Sequence, residues 1–210
     1  MGKYQLDYKG MQQVERYHEK NATVKNDKKA RVQALLKKLE RRNNMILRRP
    51  SQTDKEAILE MMAEFEREQS AHDGGFWNPD NFVYEEWLEE NIQSEAGLNI
   101  PENWVPAIQL VSFDEANHAL GFLNLRLRLN DYLLEKGGHI GYSIRPSERG
   151  KGYAKESLRQ GLQVAKEKNI HRALVTCSIK NPASRAVILA NGGQLEDIRH
   201  ETERYWIDLE

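Results

Sequence analysis

The residues best suited to do chemistry are Arg149-Gly150-Lys151-Gly152-Tyr153-Ala154-Lys155, which join the apolar run ending at Ile144 to a helical pattern. Glycines at 150 and 152 let the backbone bend and come close to a ligand. The amides that open the following helix point N–H groups and the positive end of the helix dipole at an anion. Arg149, Lys151 and Lys155 add charge beside those donors. The chemistry this suits is phosphate binding, although an ordinary strand-to-helix turn uses the same letters. A dinucleotide fingerprint fits poorly, because Gly150 to Lys155 ends on lysine where a small residue is required, and no acidic ribose partner follows at the usual distance. A nucleoside-triphosphate P-loop fits worse, since its Gly-Lys-Ser/Thr ending is absent.

The surroundings narrow the choice. Ile144-Arg145-Pro146 precedes the turn, and Val175-Thr176-Cys177-Ser178-Ile179-Lys180-Asn181-Pro182-Ala183-Ser184 follows about thirty residues later. In this order the chain resembles the GCN5-related N-acetyltransferase (GNAT) superfamily. That family's Arg/Gln-x-x-Gly-x-Gly/Ala is matched by Arg149 to Ala154, its strand ending in proline by Ile144 to Pro146, and its Asn-x-x-Ser by Asn181 to Ser184. The resemblance is strongest over residues 138–193, extends back to Met45 and is absent before it. It implies acetyl-CoA as cosubstrate, with the pyrophosphate on the backbone of Gly150, Lys151, Gly152, Tyr153 and Ala154 and with Arg149 at the edge. It also implies backbone contacts from Ile144 and Arg145 to the pantetheine arm, because the family's strands splay here and leave amides free, and contacts from Asn181 and Ser184 on the other side.

The reaction so implied is transfer of an acetyl group to a primary amine of a small molecule or peptide. An amine that arrives as ammonium must lose a proton, which calls for a base near neutral pKa. The glutamate that many members place at the start of the proline-ending strand falls here on His139, whose imidazole titrates in a useful range. The tyrosine that many members use to protonate the thiolate would be seven residues beyond Asn181. That position is Ile188, which cannot donate. Tyr142, Cys177 or solvent stand in for it, so the catalytic candidates are His139 and Tyr142. The acidic and aromatic residues Glu64, Glu66, Glu68, Asp73, Phe76 and Trp77 lie where the family builds its acceptor pocket. Carboxylates there suit a cationic amine such as a polyamine, an aminoglycoside or a peptide terminus, while a solvated helix face calls for the same letters.

The elements that must position these residues follow from periodicity. Met45 to Pro50 reads as an opening strand. Thr53 or Asp54 caps a helix through Ile58, Leu59, Met62 and Phe65. A second helix spans Tyr84 to Glu95. Strands are expected at Ala107 to Phe113, Ala119 to Leu129 and His139 to Arg145, the segment 130–138 being either a flap over the acceptor or a connector. Beyond the glycine turn come a helix from Ala154 to Lys168, a strand from Arg172 to Ile179 and a helix from Ala183 to Asn191 that stops at Gly192-Gly193. A hairpin formed by Gln194 to Ile198 and Arg204 to Leu209 closes the chain. The fold class expected is mixed α/β (α+β), of the GNAT acyltransferase type: a central mixed, largely antiparallel twisted sheet flanked by helices.

Charge divides the chain. Residues 1–44 carry twelve Lys/Arg and five Asp/Glu, a balance of +7, which leaves −8 for the rest of a chain whose net charge is −1. Val32, Leu35, Leu36 and Leu39 fall at helical spacing, so Asp27 to Arg42 reads as a basic amphipathic helix, with a shorter one near Val14 and Tyr17 and a break at 21–25. The expected organisation is a basic helical extension, 1–44, and a catalytic domain, 45–210. Such an arm serves nucleic acid, an acidic partner or the acidic body of its own domain, or is a solvated helix docked by its leucine stripe. This leaves a second reading of function, a catalytically weak CoA-binding regulatory module with a basic arm. Nucleic acid is not the expected partner, while exposed termini and a strand edge leave room for a homodimer. No apolar run reaches membrane length and no greasy leader opens the chain, so a cytoplasmic location without membrane partners is expected. Cys177 is the only cysteine and the six histidines lack ligand spacing, so neither a disulfide nor a metal is expected.

Overall fold

The computed structural model describes residues 16, 27–37, 40 and 44–209. The chain divides into two compact units, Met1–Arg41 and Arg42–Glu210, each described by itself. In the first, residues 27–37 are helical and an Asp27–Arg31 ion pair joins adjacent turns at 3.3 Å. Val32, Leu35 and Leu36 are exposed. The expected short helix at Val14 and Tyr17, the break at 21–25 and Leu39 lie outside the described residues.

The second unit runs β1 (Ile46–Arg48), α1 (Lys55–Arg67), α2 (Tyr84–Ala96), β2 (Ala107–Phe113), β3 (Ala119–Arg126), α3 (Asp131–Glu135), β4 (Ile140–Ile144), α4 (Tyr153–Glu167), β5 (Arg172–Ser178), α5 (Pro182–Leu189), β6 (Gln194–Arg199) and β7 (Thr202–Asp208). The strands form two antiparallel sheets, ordered β1-β2-β3-β4 and β5-β7-β6. The fold is thus mixed α+β, as expected, but the single central sheet is parted between β4 and β5.

Strand alternation explains the layers, because successive side chains leave opposite faces. One face of the first sheet sends Leu123, Leu125 and Ile140 against Leu158, Leu162 and Ala165 of α4 and Ala173 and Val175 of β5. The other sends Val111, Phe113 and Phe122 against Ile58, Met61 and Phe65 of α1 and Tyr84 and Trp87 of α2. With both faces covered, β2 is buried along its whole length and β3 along all but its last residue, which is why both read as near-continuous apolar runs. Leu59, expected in the core, lies at the rim, and Met61 fills the position instead. Asp54 prepares the entry to α1: its carboxylate accepts from the Ser51 amide at 2.8 Å and forms a two-pronged pair with Arg48 at 2.6 and 2.7 Å. The 130–138 segment contains the short α3, with the Asn130 side chain accepting from the Leu133 amide at 2.9 Å.

Candidate active site

The site grows from the place where β4 and β5 part. At one end they are tied, because the His139 amide donates to the Leu174 carbonyl at 2.7 Å and the Leu174 amide donates back to His139 Nδ1 at 2.9 Å. Beyond that tie the two strands share no ladder. Gly121 faces Ile144 across β3 and β4, and the Arg145 amide donates to the Leu120 carbonyl at 2.9 Å. By the alternation of an antiparallel pair, Ile144 therefore turns its backbone groups away from β3 and toward the gap. Its carbonyl accepts from Arg149 Nε at 2.9 Å.

The expected glycine turn follows at once. Gly150 and Gly152 adopt φ of 73° and 93°, a left-handed region that residues with a Cβ disfavour. Gly152 is the residue preceding α4, so no capping side chain stands before that helix. A phosphate fits such an N-terminus because amides and dipole act together there. Arg149 is folded back over the turn, donating also to Ser70 Oγ at 2.6 Å, and Lys151 pairs with Glu148 at 2.8 Å. The Tyr153 ring is buried with Met45, Leu120 and Ile144, so what this residue offers a ligand is backbone. Ala154 packs partly against the same cluster.

Arg145 departs from expectation. Its amide is taken by Leu120, its carbonyl by the Glu148 amide at 3.0 Å, and its buried guanidinium pairs with Glu64 and, at 2.9 Å, with Glu60. It braces the turn, with its amide spent on β3 and its carbonyl already accepting from Glu148. Glu64 also accepts from the Ser147 amide at 2.7 Å. Burial raises the cost of ionising Glu64, yet the Ser147 amide and hydroxyl and the Arg145 guanidinium outweigh it and hold its pKa below the ordinary value. Glu64 therefore belongs to this brace, not to an acceptor pocket.

His139 also takes a different role. Its Nδ1 lone pair is occupied by the Leu174 amide, so the neutral ring carries its proton on Nε2 and neither nitrogen can take one from an amine. Burial, with the Arg126 charge in addition, pulls its pKa down to about 4. The general-base expectation fails on that geometry, and the residue is the pin of the β4–β5 junction.

Tyr142 points from β4 to the other side of the gap. Its hydroxyl lies 2.9 Å from Ser184 Oγ in the first turn of α5. Burial, partly offset by Ser184, pushes its phenol well above the ordinary value, so it keeps its proton at neutral pH. Asn181 caps α5, its side-chain oxygen accepting from the Ser184 amide at 3.0 Å, and so orients the hydroxyl that meets Tyr142. Cys177 is a poorer proton donor for this purpose: its thiol donates to Glu203, which Arg185 and Tyr205 also hold, and burial and Glu203 push it up to about 11. Ile188 is fully buried in the core.

The remaining acidic and aromatic candidates disperse. Glu66 accepts from the Trp77 indole at 2.9 Å, Glu68 pairs with Arg67 at 3.3 Å, and Phe76 meets Trp104 edge-on at 5.9 Å. Only Asp73 stays with the chemistry. The next residue, Gly74, is pressed so close to β4 that a Cβ on it would collide with the Gly141 carbonyl, and the buried Gln109 side chain holds the Gly74 carbonyl at 2.8 Å. The exposed Asp73 carboxylate is thereby near enough to act electrostatically on both Tyr142 and Arg126. Arg126 escaped the sequence reading. The available signal was Leu125-Arg126-Leu127-Arg128 at the end of an apolar strand, which puts arginine on one face by alternation. Among the described residues no cluster could hold a metal and no helix is long and apolar enough to cross a membrane.

The search of curated proteins gives no match. Solved structures share the fold: yncA from Salmonella typhimurium with its cofactor acetyl-CoA is 17% identical, the match covering 80% of this chain and 95% of that one at a TM-score of 0.53. The spermidine N-acetyltransferase from Vibrio cholerae in complex with CoA and spermine is 18% identical, covering 80% and 96% at a TM-score of 0.52. At such identities the likeness speaks for the fold alone. In sequence, residues 44–194 match the Acetyltransferase (GNAT) domain. Because that match takes in most of the chain, the protein belongs to the GNAT family of acetyl-CoA-dependent acetyltransferases.

Proposed function

We propose that the chain moves the acetyl group of acetyl-CoA to a primary amine of a small-molecule or peptide acceptor. The observation that carries this reading is the Tyr142–Ser184 contact across the β4–β5 gap. It holds a protonated phenol beside the gap, on the strand that leads to a glycine turn suited to an anion. In this reading the backbone from Gly150 through Lys151, Gly152 and Tyr153 to Ala154 binds the pyrophosphate, Arg149 closes over its edge, and Ile144 offers its backbone to the pantetheine arm. Asn181 and Ser184 border that arm from α5. Acetyl-CoA supplies a thioester carbonyl for the amine to attack. Tyr142, released from Ser184 as the thioester enters, gives its proton to the sulfur as the carbon–sulfur bond breaks and regains one from water. Asp73 receives the acceptor's ammonium from the exposed side; one proton leaves to water there before attack, and a second leaves the nitrogen as the tetrahedral intermediate collapses to the amide.

Acetyl-CoA added at a hundred times its Kd raises the stability of the full chain by about 2.7 kcal/mol, seen as a higher melting temperature. An amine panel followed by CoA release then shows turnover. Tyr142→Phe lowers kcat by roughly a hundred- to ten-thousandfold, the usual scale of a lost proton donor, and still melts higher with acetyl-CoA. A kcat equal to wild type in Tyr142→Phe removes the donor assignment, and a chain whose melting temperature acetyl-CoA does not move removes the cosubstrate site.

A further inference from the structure

Among the described residues, Arg126 is a cation with no carboxylate in direct contact. The two buried arginines of the catalytic unit, Arg145 and Arg204, each hold two carboxylates, Glu60 with Glu64 and Glu196 with Asp197. Arg126 is partly buried, and its Nη1 donates only to the carbonyls of Gly137 at 3.0 Å and Gly138 at 3.5 Å. Among the described residues no carboxylate pairs with it, and its Nε and Nη2 have no hydrogen-bond partner. Removing a guanidinium from water without a counterion is costly. Burial accordingly pulls its pKa below the ordinary value.

The unpaired edge of Arg126 lies beside the reacting groups. A Cβ on Gly141 would be 3.2 Å from Nη2 and 3.3 Å from Nη1 of Arg126, and 3.3 Å from the Gly74 nitrogen. The missing side chain at 141 thus leaves the guanidinium lying over β4, one residue before Tyr142, with the Asp73-Gly74 loop opposite. Asp73 also lacks an ion-pair partner among the described residues. Two opposite charges therefore flank the same stretch of β4 without neutralising each other in direct contact.

We infer that the acceptor carries a carboxylate close to its amine, as an amino acid does, with Arg126 binding the carboxylate and Asp73 the ammonium. This rests on the amine-acetyltransfer reading and narrows its acceptor. The planar guanidinium, with Nε and Nη2 on one edge, suits two parallel hydrogen bonds to a carboxylate. A molecule with both charges satisfies both groups at once, which a polyamine does not. Tyr132, close enough to act on Arg126, also lines an open, half-polar hollow of about 450 Å³ with Trp104, Val105, Arg128, Leu129 and Asp131, and this gives the acceptor's side chain a place.

The test uses the full chain, acetyl-CoA and acceptors in matched pairs: phenylalanine with 2-phenylethylamine, tryptophan with tryptamine, leucine with 3-methylbutylamine. The expected result is a kcat/KM at least about tenfold higher for the carboxylate-bearing member of at least one pair. Arg126→Met brings that ratio down toward one, and Arg126→Lys, which keeps the charge without the fork, falls between. A variant that merely loosens the fold lowers both members and leaves the ratio alone, so an unchanged ratio in Arg126→Met overturns the assignment. Amines acetylated without regard to the carboxylate overturn this inference and leave N-acetyl transfer standing. If no amine of either kind is acetylated, N-acetyl transfer itself falls, and the inference with it.

Discussion

At His139, protonation and folding compete for one lone pair. The Leu174 amide holds Nδ1, and burial brings the ring's pKa from 6.5 down to about 4. Between those values the unfolded chain binds a proton that the folded chain refuses, so stability is full above pH 6.5 and is lost as pH falls through the window. The loss amounts to about 2 kcal/mol by pH 5. His139→Gln is therefore expected to be less stable than wild type at pH 7 but to lose less on acidification to pH 5, as followed by urea unfolding at both pH values. Parallel losses in the two proteins would show that the ring is not the titrating group. The sequence pattern located His139 correctly at the opening of β4, but an imidazole near the chemistry and one locked to a neighbouring strand have the same letter and the same neighbours in the chain. Tyr142 was accessible as a candidate, whereas its partnership with Ser184 joins residues 42 positions apart and is visible only once β4 faces α5.

Among the elements, α1 does more than cover the sheet. Through Glu64 it grips both Arg145 and the Ser147 amide, and so fixes the turn that leads into the glycine residues. Arg145→Met strands the Glu64 carboxylate in a buried site, an error that costs about 3–5 kcal/mol. Adding Glu64→Gln to that variant should recover part of the loss. The check is the difference in unfolding free energy among the wild type, both single variants and the double variant, and strictly additive effects would show the two residues to be uncoupled. Helix and strand positions in this region were legible from periodicity, because the apolar faces of α1, α4 and β5 each meet a packed partner. The Glu64–Arg145 pair was not, because ion pairs across 81 residues leave no trace in local spacing, and Glu64 looked like any other acid on a charged helix.

For the whole molecule, the change in charge near residue 44 and the start of the GNAT match at residue 44 support a proposal that 45–210 is the catalytic domain. A chain of 45–210 should then keep the acetyl-CoA-dependent rise in melting temperature within a degree or two of the full chain, since a 1 kcal/mol loss would move it by several degrees. A rise that disappears with residues 1–44 would place part of the cosubstrate site in the extension. The order of strands was legible from turns and alternation, whereas the parting of the sheet was implied only by the family resemblance, because β4 and β5 themselves carry ordinary strand sequences. That gap has one more consequence, which lies in the hydrogen bond between Tyr142 and Ser184. A bond that spans an opening is a latch. Anything that lies along the full gap must first displace it, at a cost of about 1 kcal/mol. Under the proposed mechanism, the contact that keeps Tyr142 ready between turnovers thus also resists entry, so tight holding of the cosubstrate and a well-held donor are set against each other at one pair of hydroxyls.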